Sequence, residues 1–160
     1  MSINIGDKVP NINFTTMTAD GPAPMGYDEL FSGKRVALFS VPGAFTPTCS
    51  LQHLPGFIEK ASQLTEKGID TIACMAVNDV FVMDAWGKSQ DAGDKVLMLA
   101  DGNGDFTSAI GLELDASGFG MGNRAQRFSL VINDGVVEII NIEDGGEFRV
   151  SSCDFMIDQL

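Results

Sequence analysis

The chain is short of positive charge: ten Lys and Arg stand against twenty-two Asp and Glu, for a formal net charge of −12. Affinity for nucleic acid rests mainly on Lys and Arg meeting phosphates, so this balance argues against a nucleic-acid partner. It argues equally against docking on an anionic membrane surface. No apolar run approaches the roughly 20 residues of a transmembrane helix. The opening residues, Met1 to Asp7, lack the basic and apolar regions of a secretory signal, so no targeting segment is expected. One histidine and three scattered cysteines offer no convincing zinc site. An odd number of widely spaced cysteines does not read as a secreted disulfide framework either, and a reducing, cytoplasmic compartment is the expectation. Asp101-Gly102-Asn103-Gly104-Asp105 starts like a calcium loop, but Phe106 stands where the turn needs Gly and Leu112 where the bidentate Glu belongs. Gly118, Gly120 and Gly122 do not join a strand to a helix as a dinucleotide loop would. No cofactor is therefore expected. No linker or repeat divides the 160 residues, so residues 1–160 are expected to form one domain.

What the chain does have is a strand feeding a turn and then a helix. Arg35 to Val41 is an apolar run of buried-strand type, and Leu51, Leu54, Phe57, Ile58, Ala61 and Leu64 follow with helical periodicity. Between them lies Pro42-Gly43-Ala44-Phe45-Thr46-Pro47-Thr48-Cys49. That turn belongs at the carboxyl end of a sheet, where α/β proteins place their chemistry. Cys49 falls where the helix should begin. The first N–H groups of a helix lack internal partners, and the dipole makes that end partly positive, so a thiolate is favoured there. Thr46 and Thr48 add hydroxyls, and Pro42 and Pro47 stiffen the loop. His53 lies one turn on; at that spacing it sits under the first turn rather than facing a substrate, which favours a supporting hydrogen bond over base catalysis. Pro55 cannot donate to the carbonyl of Leu51, so a kink is expected there.

The rest of the chain reads in order. Val9 to Met17 alternates as an edge strand, with Pro10 acceptable only at an edge. Asp20 to Gly26 reads as a loop by its breakers, and Tyr27 to Phe31 as a short turn. Gly68 ends the long helix, and Ile69 to Val77 is a second buried strand carrying Cys74. Asn78 or Asp79 caps a helix through Trp86. Val96 to Leu99 is a third strand, a small helix reaches Ile110, and Gly118 to Asn123 is a flexible loop. Arg127–Ile132 and Val136–Ile142 form a hairpin about Asn133-Asp134-Gly135. Ser151 or Ser152 caps a final helix that opens with Cys153.

The loop Pro42 to Cys49 resembles the active-site loop of peroxiredoxins, whose signature is Pro-x-x-x-Thr-x-x-Cys. The Pro-Gly-Ala-Phe-Thr-Pro form is similar to the peroxiredoxin 5 group, which includes the plant type II enzymes. The resemblance continues through Gln52 to Phe57, Val77 to Trp86, Leu99 to Gly104, Gly111 to Leu114, Arg127-Phe128-Ser129 and Gly145 to Phe148. It implies an α/β thioredoxin-like fold, a central mixed sheet flanked by helices with an N-terminal extension and insertions, and this agrees with the order of elements.

It also implies a thiol peroxidase reducing hydrogen peroxide and small alkyl hydroperoxides. Cys49 would attack the peroxide, Thr46 would hydrogen-bond sulfur and peroxide, Pro42 would shield the thiolate, and Arg127, before the aromatic Phe128, would supply a permanent cation. Arg124 is the competing arginine. Cys74 matches the second cysteine of plant-type members and is a resolving candidate. Cys153 is the runner-up, near a resolving cysteine of animal-type members but about three positions out of register. Otherwise a separate glutathione with glutaredoxin, or thioredoxin, reduces the sulfenic acid. Phe45 and the Phe81 region match parts of a homodimer contact in the same group. The competing reading from another class is a redox-switched sensor or holdase-like binding protein that oxidises once without turning over. A general disulfide oxidoreductase is weakened because Thr46 occupies the first position of a Cys-x-x-Cys.

Overall fold

The computed structural model describes residues 1–160. In chain order it holds β1 (Phe14–Thr18), β2 (Gly21–Met25), α1 (Tyr27–Leu30), β3 (Arg35–Ser40), a π-helical turn (Cys49–His53), α2 (Leu54–Glu59), α3 (Ala61–Glu66) and β4 (Thr71–Ala76). Then follow α4 (Val80–Ser89), β5 (Leu97–Ala100), α5 (Asp105–Ala109), β6 (Glu113–Asp115), a 3-10 turn (Ser117–Phe119), β7 (Asn123–Ala125), β8 (Phe128–Asn133), β9 (Val136–Ile142) and α6 (Cys153–Gln159). Seven strands make one mixed sheet in the order β2-β1-β5-β4-β3-β8-β9, with β6 and β7 forming a separate ribbon. The β3–β4 and β4–β5 pairs are parallel, whereas β3–β8 and β8–β9 are antiparallel. This is the thioredoxin-like architecture. No helix is long and apolar enough to cross a membrane.

The central strands are covered on both sides, which is why they read as continuous apolar runs rather than alternating ones. On one face Ala37, Phe39, Ile72, Cys74, Ala76 and Val131 pack under Leu54, Phe57, Leu64, Met83, Trp86 and Met156 of the helices. On the other, Val36, Leu38, Ala73, Met75, Leu130 and Ile132 meet Phe14, Phe31, Phe106 and Ile110. Neighbouring residues of one strand thus belong to opposite cores.

Three expectations need correction. The N-terminal strand starts at Phe14, after Pro10, and lies inside the sheet between β2 and β5. The edge is β2, formed by the segment expected to be a loop. Pro22 and Pro24 occupy alternate positions, so the donors they lack fall on a single side of the strand, and the ladder to β1 forms on the other. The Gly118–Asn123 segment is not loop throughout: it begins within the 3-10 turn and ends in β7, whose register pairs Arg124 with Leu114 of β6. The β8–β9 hairpin turns at Asp134 and Gly135, both with left-handed φ of 49° and 81°, as a two-residue turn of this twist requires. Asp79 caps α4, accepting the Val82 N–H at 2.9 Å, and Ser152 caps α6 through the Phe155 N–H at 3.1 Å.

Candidate active site

The site begins where β3 ends. The Val41 N–H still donates to the Met75 carbonyl, at 3.1 Å, and the chain then leaves the sheet through Pro42 and the buried Gly43. The Ala44 N–H donates to Asn78 Oδ1 at 3.0 Å, tying this loop to the end of β4. Phe45 takes a left-handed φ of 65°, an uncommon conformation for a bulky residue, and the chain turns helical directly after it. The Ser50 N–H reaches the Thr46 carbonyl at 2.9 Å. From Cys49 to His53 the helix widens, and the Leu54 N–H closes the turn on the Cys49 carbonyl. Pro55 follows at once and has no N–H to give. The kink expected at Pro55 therefore takes the form of a π-helical turn just before it, with a second break at Lys60, where φ and ψ are −106° and 17°.

Cys49 and His53 face inward and are both fully buried. Arg127 lies just before β8. Because Phe128 points into the opposite core, strand alternation turns Arg127 toward the helices. Its Nη2 donates to Cys49 Sγ at 3.1 Å and its Nη1 to His53 Nδ1 at 3.0 Å. A guanidinium only donates, so Nδ1 must accept. The ring hydrogen therefore sits on Nε2, which donates to the Ser151 carbonyl at 2.9 Å. Burial, and then the adjacent Arg127 charge, lower the His53 pKa to about 3, while the bond to Ser151 works the other way. With its free lone pair committed to Arg127, His53 has no bond to the sulfur. Its place in the site is to hold the arginine. The His53 ring packs against Phe39 on one side, with centroids 4.8 Å apart, and Phe148 on another at 5.0 Å. Phe148 also carries the Arg127 guanidinium over its ring at 5.8 Å.

The remaining residues fall into place around this core. Pro42 is half-buried at the start of the loop. Thr46 Oγ1 donates to the Gly43 carbonyl at 2.7 Å, so its proton is already used and it makes no bond to the sulfur. The hydroxyl expected to hydrogen-bond sulfur and peroxide is left free here as an acceptor. Arg124 donates from Nε to the Met121 carbonyl at 2.9 Å and lies beside Gly43, not at the sulfur. Of the two arginines, Arg127 is the one at Cys49.

All three cysteines are free and share the helix-covered core. Cys74 stands opposite Phe39 in the parallel ladder, with no surface exposed. Burial pushes its thiol pKa well up, as does Cys49 nearby, against a smaller opposing pull from Arg127. Cys153 opens α6, where a free first turn would favour a thiolate. Instead it is buried under α6, and burial, with Asp154 adding to it, pushes its pKa up to about 12. A first-turn position favours the thiolate only when the sulfur faces the free N–H groups and solvent, and here it faces the core. Phe45 and Phe81 are 55% and 66% exposed. A surface cavity of about 630 Å³ lies at the amino ends of β4 and β5, away from Cys49.

The sequence reading missed Glu143, Phe148 and Ser151 as parts of this site. Glu143 carried one signal: with Ile139 and Asn141 it continues a period of two along the helix-covered face of β9, where a buried carboxylate needs donors.

The comparisons with known proteins agree with this geometry. The Redoxin family model matches residues 4–156. Peroxiredoxin-2C of Oryza sativa subsp. japonica is 52% identical over 159 residues, covering 99% of this chain and 98% of that protein. The crystal structure of reduced Prx3 from Vibrio vulnificus in complex with hydrogen peroxide superposes with a TM-score of 0.94 at 48% identity, covering 98% of both chains. Peroxiredoxin 5 from Alvinella pompejana gives a TM-score of 0.84 at 36% identity over 99% of each chain. The fold and the buried Cys-Arg-His cluster define a thiol-dependent redox protein. The chain belongs to the Redoxin family, and within it to the peroxiredoxins of the type II and peroxiredoxin 5 group, which are thiol peroxidases.

Proposed function

We propose that this protein reduces hydrogen peroxide and small alkyl hydroperoxides through a Cys49 sulfenic acid. The observation that carries the reading is the bond from Arg127 to Cys49 Sγ. Arg127 is buried and forms no ion pair with any carboxylate. A buried cation is costly without a counter-charge, and the Cys49 thiolate supplies it. The thiolate attacks the nearer peroxide oxygen, the O–O bond breaks, and the departing oxygen takes a proton to leave as water or an alcohol. Sulfur loses two electrons and becomes the sulfenic acid. Arg127 faces the charge that develops, Thr46 Oγ1 accepts from the peroxide O–H, and the buried Gly43 with half-buried Pro42 keeps water away. Hydrogen peroxide bound to reduced Prx3 of Vibrio vulnificus supports this choice of substrate.

The same reading places the reductant outside the chain. Cys74 is buried in a central strand with its thiol pKa raised, so it is a weak nucleophile toward the sulfenic acid. A separate thiol, glutathione with glutaredoxin, attacks instead once the first turn opens. Thioredoxin would be the partner if Cys74 formed a disulfide. The exposed Phe45 and Phe81 support a homodimer that covers them, and the three free thiols suit a reducing cytoplasm. The test follows peroxide consumption with glutathione and glutaredoxin in wild type and Cys49→Ser, with intact mass after one equivalent of peroxide. Catalytic turnover lost in Cys49→Ser is expected, with a single added oxygen in the wild type. Stoichiometric consumption alone would favour a redox-switched sensor, and a mass loss of two hydrogens would make Cys74 or Cys153 the resolving thiol.

A further inference from the structure

We propose that Glu143 is a positioning residue for the peroxidase site: its carboxylate folds the 143–151 loop so that Ser151 locks the tautomer of His53 and, through it, the direction of Arg127. This rests on the peroxidase reading for its kinetic consequence, but the structural claim stands by itself.

Glu143 is 5% exposed and follows β9 directly. Its carboxylate accepts from the Arg149 N–H at 2.9 Å, the Val150 N–H at 2.9 Å, the Ser151 N–H at 2.8 Å and Ser151 Oγ at 2.6 Å. No cation pairs with it. Three successive backbone donors and a hydroxyl converging on one carboxylate fix the conformation of the segment that carries them. That segment carries two groups of the site: Phe148, whose ring meets both His53 and Arg127, and the Ser151 carbonyl, which accepts from His53 Nε2.

The connections close on themselves. The Glu143 N–H donates to the Arg127 carbonyl at 3.0 Å, and its carboxylate holds Ser151. Ser151 then holds His53, and His53 accepts from the Arg127 side chain, whose other nitrogen reaches Cys49. Arg127 is thus gripped at its backbone and at its side chain by one ring of bonds, with Glu143 at the point where they meet. A neutral imidazole has two tautomers, and only the Nε2–H form leaves Nδ1 free to accept from Arg127. A displaced Ser151 carbonyl removes the reason for that form, and the guanidinium loses its guide to the sulfur.

The test uses Glu143→Gln, with Ser151→Ala as a milder variant should the first not fold. His53 is the sole histidine, so the imidazole nitrogen spectrum contains one residue. Wild type at neutral pH should show the pure Nε2–H pattern, and Glu143→Gln a mixture of tautomers. In the same samples the rate of Cys49 oxidation by hydrogen peroxide should fall on the order of tenfold or more. Ser151→Ala, which removes only the hydroxyl bond, should shift both readouts in the same direction by less. Adding Glu143→Gln to a His53→Gln background should then cost little further rate. A folded Glu143→Gln protein with the wild-type tautomer would overturn the proposal. So would an equal loss of rate with and without His53, which would make Glu143 merely structural. Absence of peroxidase activity in the wild type would sink the functional reading while leaving the tautomer result to decide this one.

Discussion

The two faces of the sheet are equally dry and unequally reactive. Both hold fully buried aromatic pairs: Phe39 stacks on Phe57 with centroids 4.0 Å apart, and Phe14 meets Phe106 at 4.5 Å. Every cysteine lies on the helix-covered face together with His53 and Arg127, whereas the buried polar groups beside the other core include Ser40 and the Asp101–Thr107 pair, with no thiol, imidazole or guanidinium among them. The difference is not burial but which side chains meet there. The helix-covered face receives the ends of β3, β8 and β9, where the chain leaves the ladder and its carbonyl and N–H groups become available to side chains. Polar machinery can be buried at that edge because the backbone completes it, as Ser151 does for His53. A buried polar group without such partners costs far more than the bonds it would form are worth.

Removing the cation should separate the faces most sharply. Arg127→Gln takes the donor from Cys49 Sγ and leaves His53 Nδ1 without its partner. Loss of a preorganised donor of this kind lowers kcat/KM for peroxide on the order of hundredfold or more. Stopped-flow oxidation of Cys49 measures it, and a rate within a factor of about three of wild type would remove Arg127 from the mechanism. Next in size is a matched pair of core truncations. Phe39→Ala and Phe106→Ala each delete a fully buried ring and should each cost about 3–5 kcal/mol in denaturant unfolding. Only Phe39 touches His53. At equal stability loss, Phe39→Ala alone should slow peroxide reduction; an equal slowing in Phe106→Ala would mean that the rate simply follows global stability.

Acid should act through the same face. His53 is neutral in the folded protein, with its pKa lowered from 6.5 to about 3, so the unfolded chain takes up a proton that the native state refuses. The contribution is complete above pH 6.5 and is withdrawn as pH falls from there toward 3, at about 1.4 kcal/mol per pH unit. Glu143 has burial tending to raise its pKa, but the bonds from Ser151, Arg149 and Val150 prevail and lower it. Its contribution is lost in the same direction at lower pH, below the ordinary carboxylate value. Between pH 6.5 and 5 the slope therefore belongs mainly to His53. His53→Gln should flatten it there, and an unchanged slope would place the acid sensitivity elsewhere.

How much of this was readable in advance follows the range of the interactions. The β3-turn-helix unit and the β8–β9 hairpin were legible because their signals are local: an apolar run, a proline-rich turn ending at Cys49, an Asp134-Gly135 turn. Cys49 was legible from its place at a helix start, whereas Arg127 was chosen over Arg124 because a family pattern linked residues far apart in sequence. β2 was misread because Pro22 and Pro24 look like breakers until the open side of an edge strand is there to receive them. The inward turn of Cys153 depends on how α6 lies on the sheet, which its own sequence does not state. Glu143 was hard to see as a site residue because all but one of its partners are backbone groups, and backbone has no letter.

The smallest effect concerns the first turn. Trp86 is fully buried on α4, and its Nε1–H donates to Ser50 Oγ at 3.0 Å. This ties the widened turn to the neighbouring helix. Trp86→Phe keeps an aromatic body but removes the donor, and Ser50, being half-buried, can turn to water. The cost should be about 1 kcal/mol. Because the lost bond holds the turn and not the sheet, local opening should rise about fivefold around residues 50–54. Exchange in β8 should change no more than global stability requires. Native-state hydrogen exchange distinguishes the two. Faster exchange confined to the turn would show that the reactive face is held shut by individual bonds, while uniform acceleration through both cores would mean that the turn opens only when the whole domain does.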